Sequence, residues 1–274
     1  MTIQKILYKY RSWQENDNID DNNKFQKRLL TKSEFYISSP KQFNDPFDLA
    51  IPKRYDLMTR DQFLRTSLFH LGTKYPLKTF KEIFLLAKKN TNERYNNPQY
   101  KIDLKQNIEN FIKTHGVYCF SEEPTNILSW TFYGNNHAGY CVGLDKLRLQ
   151  DYLEKKYTKA IGLFKVHYTD NFPEIIPDMD VHIRLENVFK RLTIKYINWS
   201  YEKEWRLVTP NFSEELIELP KDIYKEVYLG SNTSDSVKNE IIKTLKEKYM
   251  NKVNLFELEP NTTEYELDIK RINY

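Results

Sequence analysis

Four short stretches of this sequence carry residue types that do chemistry. In "YINWSYEKEWRLV" (residues 196–208), Glu202, Glu204 and Arg206 alternate with other residues among Trp199, Tyr201 and Trp205. On a strand, positions i, i+2 and i+4 share one face, so two carboxylates and a guanidinium would project together. Carboxylates beside so much apolar surface need a partner or a purpose. They form either a salt-bridged sheet face or the floor of an active site. Lys9-Tyr10-Arg11-Ser12 places cations at the end of an alternating run, where an arginine fork can hold phosphate or a strand end can meet solvent. Phe43-Asn44-Asp45-Pro46-Phe47-Asp48 has the composition of a rigid turn, because Asn and Asp bond to their own backbone and Pro restricts the residue before it. Such a turn is structural, or it is the rim of a pocket. In Ser129-Trp130-x-x-Tyr133-x-x-x-His137-x-Gly139, Trp130 and Tyr133 share a helical face. That face is core, or it is a platform for a flat heteroaromatic ring, with His137 and Gly139 at the helix exit near the ligand.

The surrounding elements must position these residues. Lys5–Ser12 alternates as a first strand, and Asp20 or Asp21 is a helix cap ahead of Phe25, Leu29 and Leu30. Glu34–Ser39 reads as a second strand. From about Met58 to His115 the apolar spacing is helical, which predicts a helical insertion with Ile108, Phe111 and Ile112 on its third helix. Gly116–Glu123 returns to strand, and Pro124 suits the first turn of the next helix. Ala138–Asp145 is a strand, followed by a short helix around Leu149–Leu153. A long helix carries Ile183, Val188, Leu192 and Ile194. "EKEWRLV", "KEVYLG", "KVNLFELE" and "EYELDIKRI" are strands. Val237, Ile241, Leu245 and Tyr249 recur every four residues on an amphipathic helix. The pattern is α+β, one domain over 1–274 with the helical insertion at about 58–115.

Composition narrows the function classes. The chain has 274 residues and a formal net charge of +4, too slight a balance to announce a nucleic-acid binder. A local basic groove is compatible with that total. With 7 glycines, Gly-rich phosphate loops are not expected, and there is no P-loop, paired-Cys zinc motif, HExxH or GxSxG. Cys119 and Cys141 are expected as reduced, packed thiols in a cytoplasmic protein. No apolar run has the length of a signal peptide or a membrane span.

Taken in order, "LYKYRS", "FYISSPKQFNDPFD", "GVYCFSEEPTNILSWTFYGNNHAGYCVGLD", "YEKEWRLV" and "VYLG" resemble the bacterial DUF2971 family, over about Leu7 to Gly230. That family is more remotely similar to ADP-ribosyltransferases. The resemblance implies a split central β-sheet clasping NAD as substrate, with a helical insertion and flanking helices. It implies a first-strand cation on the dinucleotide, Arg11 with Lys9 and Tyr10 as rivals, and Asn44 and Asp45 on the pocket rim. Trp130 or Tyr133 would pack on nicotinamide, with His137 nearby. Glu204 would orient the nicotinamide ribose, and Glu202 would steer the acceptor, a nucleic acid or protein. A role as toxin or antiviral defence effector follows, with an antitoxin as the corresponding partner. The Ser-Thr-Ser stretch of one transferase class and the first-strand His of the other do not occur here.

The chemistry fits those residue types. Breaking the nicotinamide–ribose bond develops oxocarbenium-like charge, which a fixed carboxylate stabilises. A flat wall positions the leaving group, and a cation anchors the pyrophosphate. If so, Arg11 and Glu204 should border one cleft. Two other readings use the same residues. Asp45 and Asp48 with Glu202 and Glu204 could bind Mg²⁺ in a nuclease, or the pocket could bind a nucleotide or partner without catalysis.

Overall fold

Alternating apolar runs become strands and four-residue apolar spacings become helices in the computed structural model, which describes residues 5–13, 25–97, 109, 111–157, 162–210 and 213–274. Asp20, Asp21 and Ile108 lie outside the described residues. The chain is a mixed α+β protein with a large central sheet, and its contacts divide it into two compact units.

The first unit comprises Met1–Ser39, His115–Val166 and Asn198–Tyr274. Its strands are β1 (Ile6–Arg11), β2 (Glu34–Ile37), β3 (His115–Ser121), β4 (Tyr140–Asp145), β5 (Gly162–Lys165), β8 (Glu204–Pro210), β9 (Glu215–Glu218), β10 (Tyr224–Leu229), β11 (Asn254–Pro260) and β12 (Leu267–Ile272). Eight of them form one sheet in the order β12-β11-β10-β4-β1-β3-β8-β5, while β2 and β9 pair separately. The sheet is unevenly joined. Strand β1 pairs with β4 from Ile6↔Asp145 to Arg11↔Tyr140, and β3 pairs with β8 from His115↔Pro210 to Ser121↔Glu204. Between β1 and β3 the register holds a single pair, Tyr8↔Ser121. Two well-made ladders therefore meet at the last residue of β3 and part beyond it toward Arg11.

Period-two alternation gives each ladder two distinct faces. Leu7, Tyr118, Phe120, Tyr140 and Leu207 belong to the main core. The helix Asp235–Tyr249 buries Val237, Ile241, Leu245 and Tyr249 against that core, is capped by Ser234 Oγ on the Val237 amide, and forms the crossover between the parallel strands β10 and β11. On the opposite face Tyr8, Tyr10, Trp130, Cys141, Tyr228 and Leu258 make a smaller aromatic core. Cys119 and Cys141 are both free thiols, as the sequence predicts; Cys141 is buried as expected, whereas Cys119 is half-buried.

The second unit comprises Pro40–Thr114 and His167–Ile197. It holds α2 (Arg60–Lys74), α3 (Phe80–Arg94) and α6 (Val181–Thr193), with the short parallel pair β6 (His167–Thr169) and β7 (Ile194–Tyr196); α1 (Arg28–Thr31), α4 (Ile127–Tyr133), α5 (Lys146–Lys156) and α7 (Asp235–Tyr249) belong to the first. Thr59 with Gln62 and Thr79 with Glu82 form reciprocal capping boxes that start α2 and α3. Pro124 does not open α4: Asn126 caps it through the Ser129 amide, and the helix begins at Ile127. Among the described residues no helix is long and apolar enough to cross a membrane.

Candidate functional site

The acid pair does not sit on one strand. Glu202 ends a 3-10 helix, Ile197–Glu202, and Lys203 takes a left-handed φ of 44° before β8 begins at Glu204. That turn corrects the expectation of three side chains on one strand face; only Glu204 and Arg206 keep the i, i+2 relation. Both acids are buried all the same, Glu202 at 6% exposure and Glu204 at 3%. Arg206, fully enclosed, grips Glu204 as a fork, with Nε donating to Oε1 at 2.7 Å and Nη2 to Oε2 at 3.1 Å. Glu202 Oε1 accepts from the Tyr133 hydroxyl at 2.6 Å, and its carbonyl accepts from Ser121 Oγ at 2.7 Å. Register explains the company: Ser121 stands opposite Glu204 and Cys119 opposite Arg206, so all four share a face of the β3–β8 ladder. Burial and the Glu204 charge push the Cys119 thiol well up.

The first-strand cations divide. Arg11 stacks over Tyr118 at 5.3 Å and its charge acts on Tyr140, both residues of the main core. Glu204 and Arg206 alternate with Trp205 and Leu207, which belong to that same core, so they leave the sheet on the other face. The expectation that Arg11 and Glu204 border one cleft is therefore not met. Lys9 is the first-strand cation on which the charges of the acids act. It starts on the Arg11 face, lies 4.6 Å over the Tyr118 ring, and donates Nζ to the Cys119 carbonyl at 2.7 Å, where β1 and β3 have parted. Burial and the neighbouring Arg11 hold its ammonium down to about 8, and the charges of Glu204 and Glu202 oppose that shift. Tyr10 is buried, with its hydroxyl on the Glu123 carbonyl and its ring edge-on to Trp130.

Trp130 offers a ligand no face. It is fully enclosed, donates Nε1 to the Pro124 carbonyl at 2.7 Å, and packs on Tyr10 and His137. Tyr133, one turn later, is 37% exposed and holds Glu202. The rest of the motif is a loop device. Asn135, Asn136 and His137 are all left-handed, with φ of 54°, 50° and 67°. His137 stacks on Trp130 with ring centroids 6.3 Å apart, its Nε2 is 3.3 Å from Thr131 Oγ1, and burial lowers its basicity. Gly139 passes so close to the end of β1 that a Cβ there would lie 2.2 Å from the Arg11 carbonyl oxygen.

Asn44 and Asp45 belong to the second unit. Asn44 is exposed, whereas Asp45 is buried and accepts the Phe47 amide on Oδ1 at 2.8 Å, the turn its composition predicts. Asp45, Phe47 and Asp48 line a cavity of about 280 Å³ with Phe172, Lys195 and Tyr196. Asp48 pairs there with Lys195 at 3.3 Å, both side chains buried. Among the described residues no three His, Cys, Asp or Glu side chains gather as a metal-ligand set.

The geometry defines an α+β protein with a parted central sheet and buried charges at the parting. The family model described as Protein of unknown function (DUF2971) matches residues 129–207, a segment holding both the Trp130–Gly139 motif and Glu202–Arg206. The resemblance to that family holds over this segment. No curated protein and no solved structure matches the chain.

Proposed function

We propose that the first unit cleaves NAD and transfers ADP-ribose to a macromolecular acceptor, nucleic acid or protein. The observation that carries this reading is the parting of β1 from β3, where a half-buried lysine bonds the Cys119 carbonyl within electrostatic reach of two buried carboxylates. Buried charges are costly unless paired, and functional sites are where such arrangements concentrate. In this reading Lys9 takes the cation role in place of Arg11, and Tyr133 replaces the enclosed Trp130 as the ring beside nicotinamide. Glu204, oriented by Arg206, stabilises the ribosyl cation. Glu202, held by Tyr133, serves the acceptor. Such an activity suits a cytoplasmic toxin or defence effector held in check by an antitoxin.

A second reading has a specific observation behind it. The fork from Arg206 occupies both oxygens of Glu204, as in a site that binds a nucleotide or partner without turnover. One experiment separates the two: NAD consumption and label transfer to cell extract, with thermal melts, for wild type, Glu204→Gln, Glu202→Gln and Tyr133→Ala. Transferase chemistry predicts that Glu204→Gln keeps fold and NAD affinity and loses about 10²-fold or more in turnover. Glu202→Gln should lose transfer more than hydrolysis, and Tyr133→Ala should weaken NAD binding. Stabilisation by NAD without turnover in wild type selects the binding module. Full turnover in a well-folded Glu204→Gln protein sinks the catalytic assignment.

A further inference from the structure

The second unit contains a concentration of positive charge that its own carboxylates do not answer. Arg184, Asn187 and Arg191 stand at i, i+3 and i+7 of α6, one face of the helix. Asn187 Nδ2 donates to the Ile176 carbonyl at 2.8 Å, which ties that face to the segment beside Lys53. Lys53 bridges to Ile175 there, and the Arg54 amide donates to the Ile175 carbonyl at 2.8 Å. The helix thus carries two guanidinium groups toward a fixed lysine.

Arg191 is the deep member, 3% exposed, and its Nε and Nη2 have no hydrogen-bond acceptor. Its guanidinium carbon lies 3.6 Å from the centroid of the Phe111 ring. Stacking uses the flat face of a guanidinium and leaves its in-plane N–H edge to bind something else. Arg184 repeats the arrangement nearer the surface, 5.0 Å over Phe69. Among the described residues no carboxylate lies within ion-pair distance of Lys53, Arg184 or Arg191. Elsewhere the chain pairs its charges freely, down to the enclosed Arg206 with Glu204. A guanidinium buried without an acceptor is among the costliest arrangements a fold can keep.

We propose that Lys53, Arg184 and Arg191 form a binding site for a phosphoryl anion, with Arg191 as its floor and His70 at its rim. Three cations suit a dianion or a diphosphate, and two planar forks suit its oxygens. The mutual influence of the cations supports the grouping. Burial lowers Arg191 to about 10; burial first and then the charges of Arg191 and Arg184 depress Lys53, and burial first and then those of Lys53 and Arg184 depress His70. A bound anion would favour the charged form of each. The site uses residues of the second unit alone and stands whether or not the first unit turns over NAD.

The test is a thermal melt and calorimetric titration of the full chain with sodium pyrophosphate and with orthophosphate, against sodium chloride and sulfate at equal ionic strength. Pyrophosphate or orthophosphate should raise the melting temperature beyond both controls. Arg191→Met should abolish that shift while melting no lower than wild type without ligand, because it removes an unpaired buried charge. Lys53→Gln and Arg184→Gln, nearer the surface, should fold normally and weaken binding by at least about tenfold each. Absence of a phosphate or pyrophosphate shift above the controls overturns the proposal. So does full binding by Lys53→Gln and Arg184→Gln, whatever the fate of Arg191→Met.

Discussion

Lys9 shows how one side chain reports on its surroundings. It is half-buried, bonded to the Cys119 carbonyl, and held down to about 8 by burial and Arg11. An unfolded chain keeps that proton up to the ordinary lysine range, so between pH 8 and 10 the unfolded state binds more protons than the native one. The Lys9 contribution to stability then rises with pH across that window, by on the order of 1 kcal/mol per unit at its steepest, while the Cys119 and Cys141 thiols, raised by burial, pull the other way. Below about 8 both states carry the proton and the contribution stops changing. Above 10 the buried tyrosines, Tyr8 among them, act in the other direction because burial raises them. Urea unfolding at pH 7, 8, 9 and 10 should therefore give a more positive slope of stability against pH in wild type than in Lys9→Met; equal slopes would contradict the assignment. The sequence marks Lys9 only as one of three candidates in Lys9-Tyr10-Arg11. Alternation places Lys9 and Arg11 on the same face, and nothing local says that β3 will part from β1 beyond Tyr8 or that Lys9 will be the one to bond the Cys119 carbonyl.

At the scale of elements, the Trp130–Gly139 motif is a closure between a helix end and two strands. Gly139 N–H donates to the Gly134 carbonyl at 2.9 Å, and its own carbonyl accepts from Gly230 at 3.1 Å and from Thr233 Oγ1 at 2.9 Å. There is no room for a side chain: a Cβ at Gly230 would lie 2.0 Å from the His137 carbonyl oxygen. Gly139→Ala should therefore cost about 2 kcal/mol or more in chemical unfolding. Gly72→Ala in α2, where a Cβ would meet nothing within 4 Å, should stabilise by about 0.5 kcal/mol. A tolerated Gly139→Ala would remove the packing account of the motif. Helices and inner strands were legible because their signals are periodic: the four-residue apolar steps of Val237–Tyr249 and the alternation of Ile6–Arg11 correspond to the observed elements. The turn at Lys203 was not legible. "EKEWRLV" alternates through Glu202, and only a left-handed residue in the middle separates the acid on the 3-10 helix from the acid on the strand. The enclosure of Trp130 was equally hidden, since a core ring and a stacking platform have the same spacing; its burial depends on Tyr10 and Tyr228, far along the chain.

At the scale of the molecule, the two units differ in how much apolar surface they bury. The continuous cores of Leu7, Tyr118, Tyr140 and Ile241 and of Tyr8, Trp130 and Leu258 lie wholly within the first unit. The second unit leaves Leu77, Phe80 and Leu85 largely exposed on and beside α3, with Phe63, Ile83 and Ala87 buried behind them. Local stability follows buried contacts, so amide exchange should be faster in residues 60–94 than in β1, β4 and β10. Peptide-resolved hydrogen exchange checks this, and equal protection would contradict it. The parted sheet also constrains how the chain is made. Ile6 must wait for Asp145 before β1 has its long ladder, and Ser121 must wait for Glu204 before β3 has its own. Until then the earlier strands leave the ribosome with their hydrogen-bonding edges unsatisfied, while the whole segment Pro40–Thr114 is being synthesised between them. A nascent chain released before β8 has Lys9 but neither acid's final setting. The charged centre thus becomes possible only once β8 has emerged, ahead of the pairings of β10, β11 and β12 that complete the same sheet.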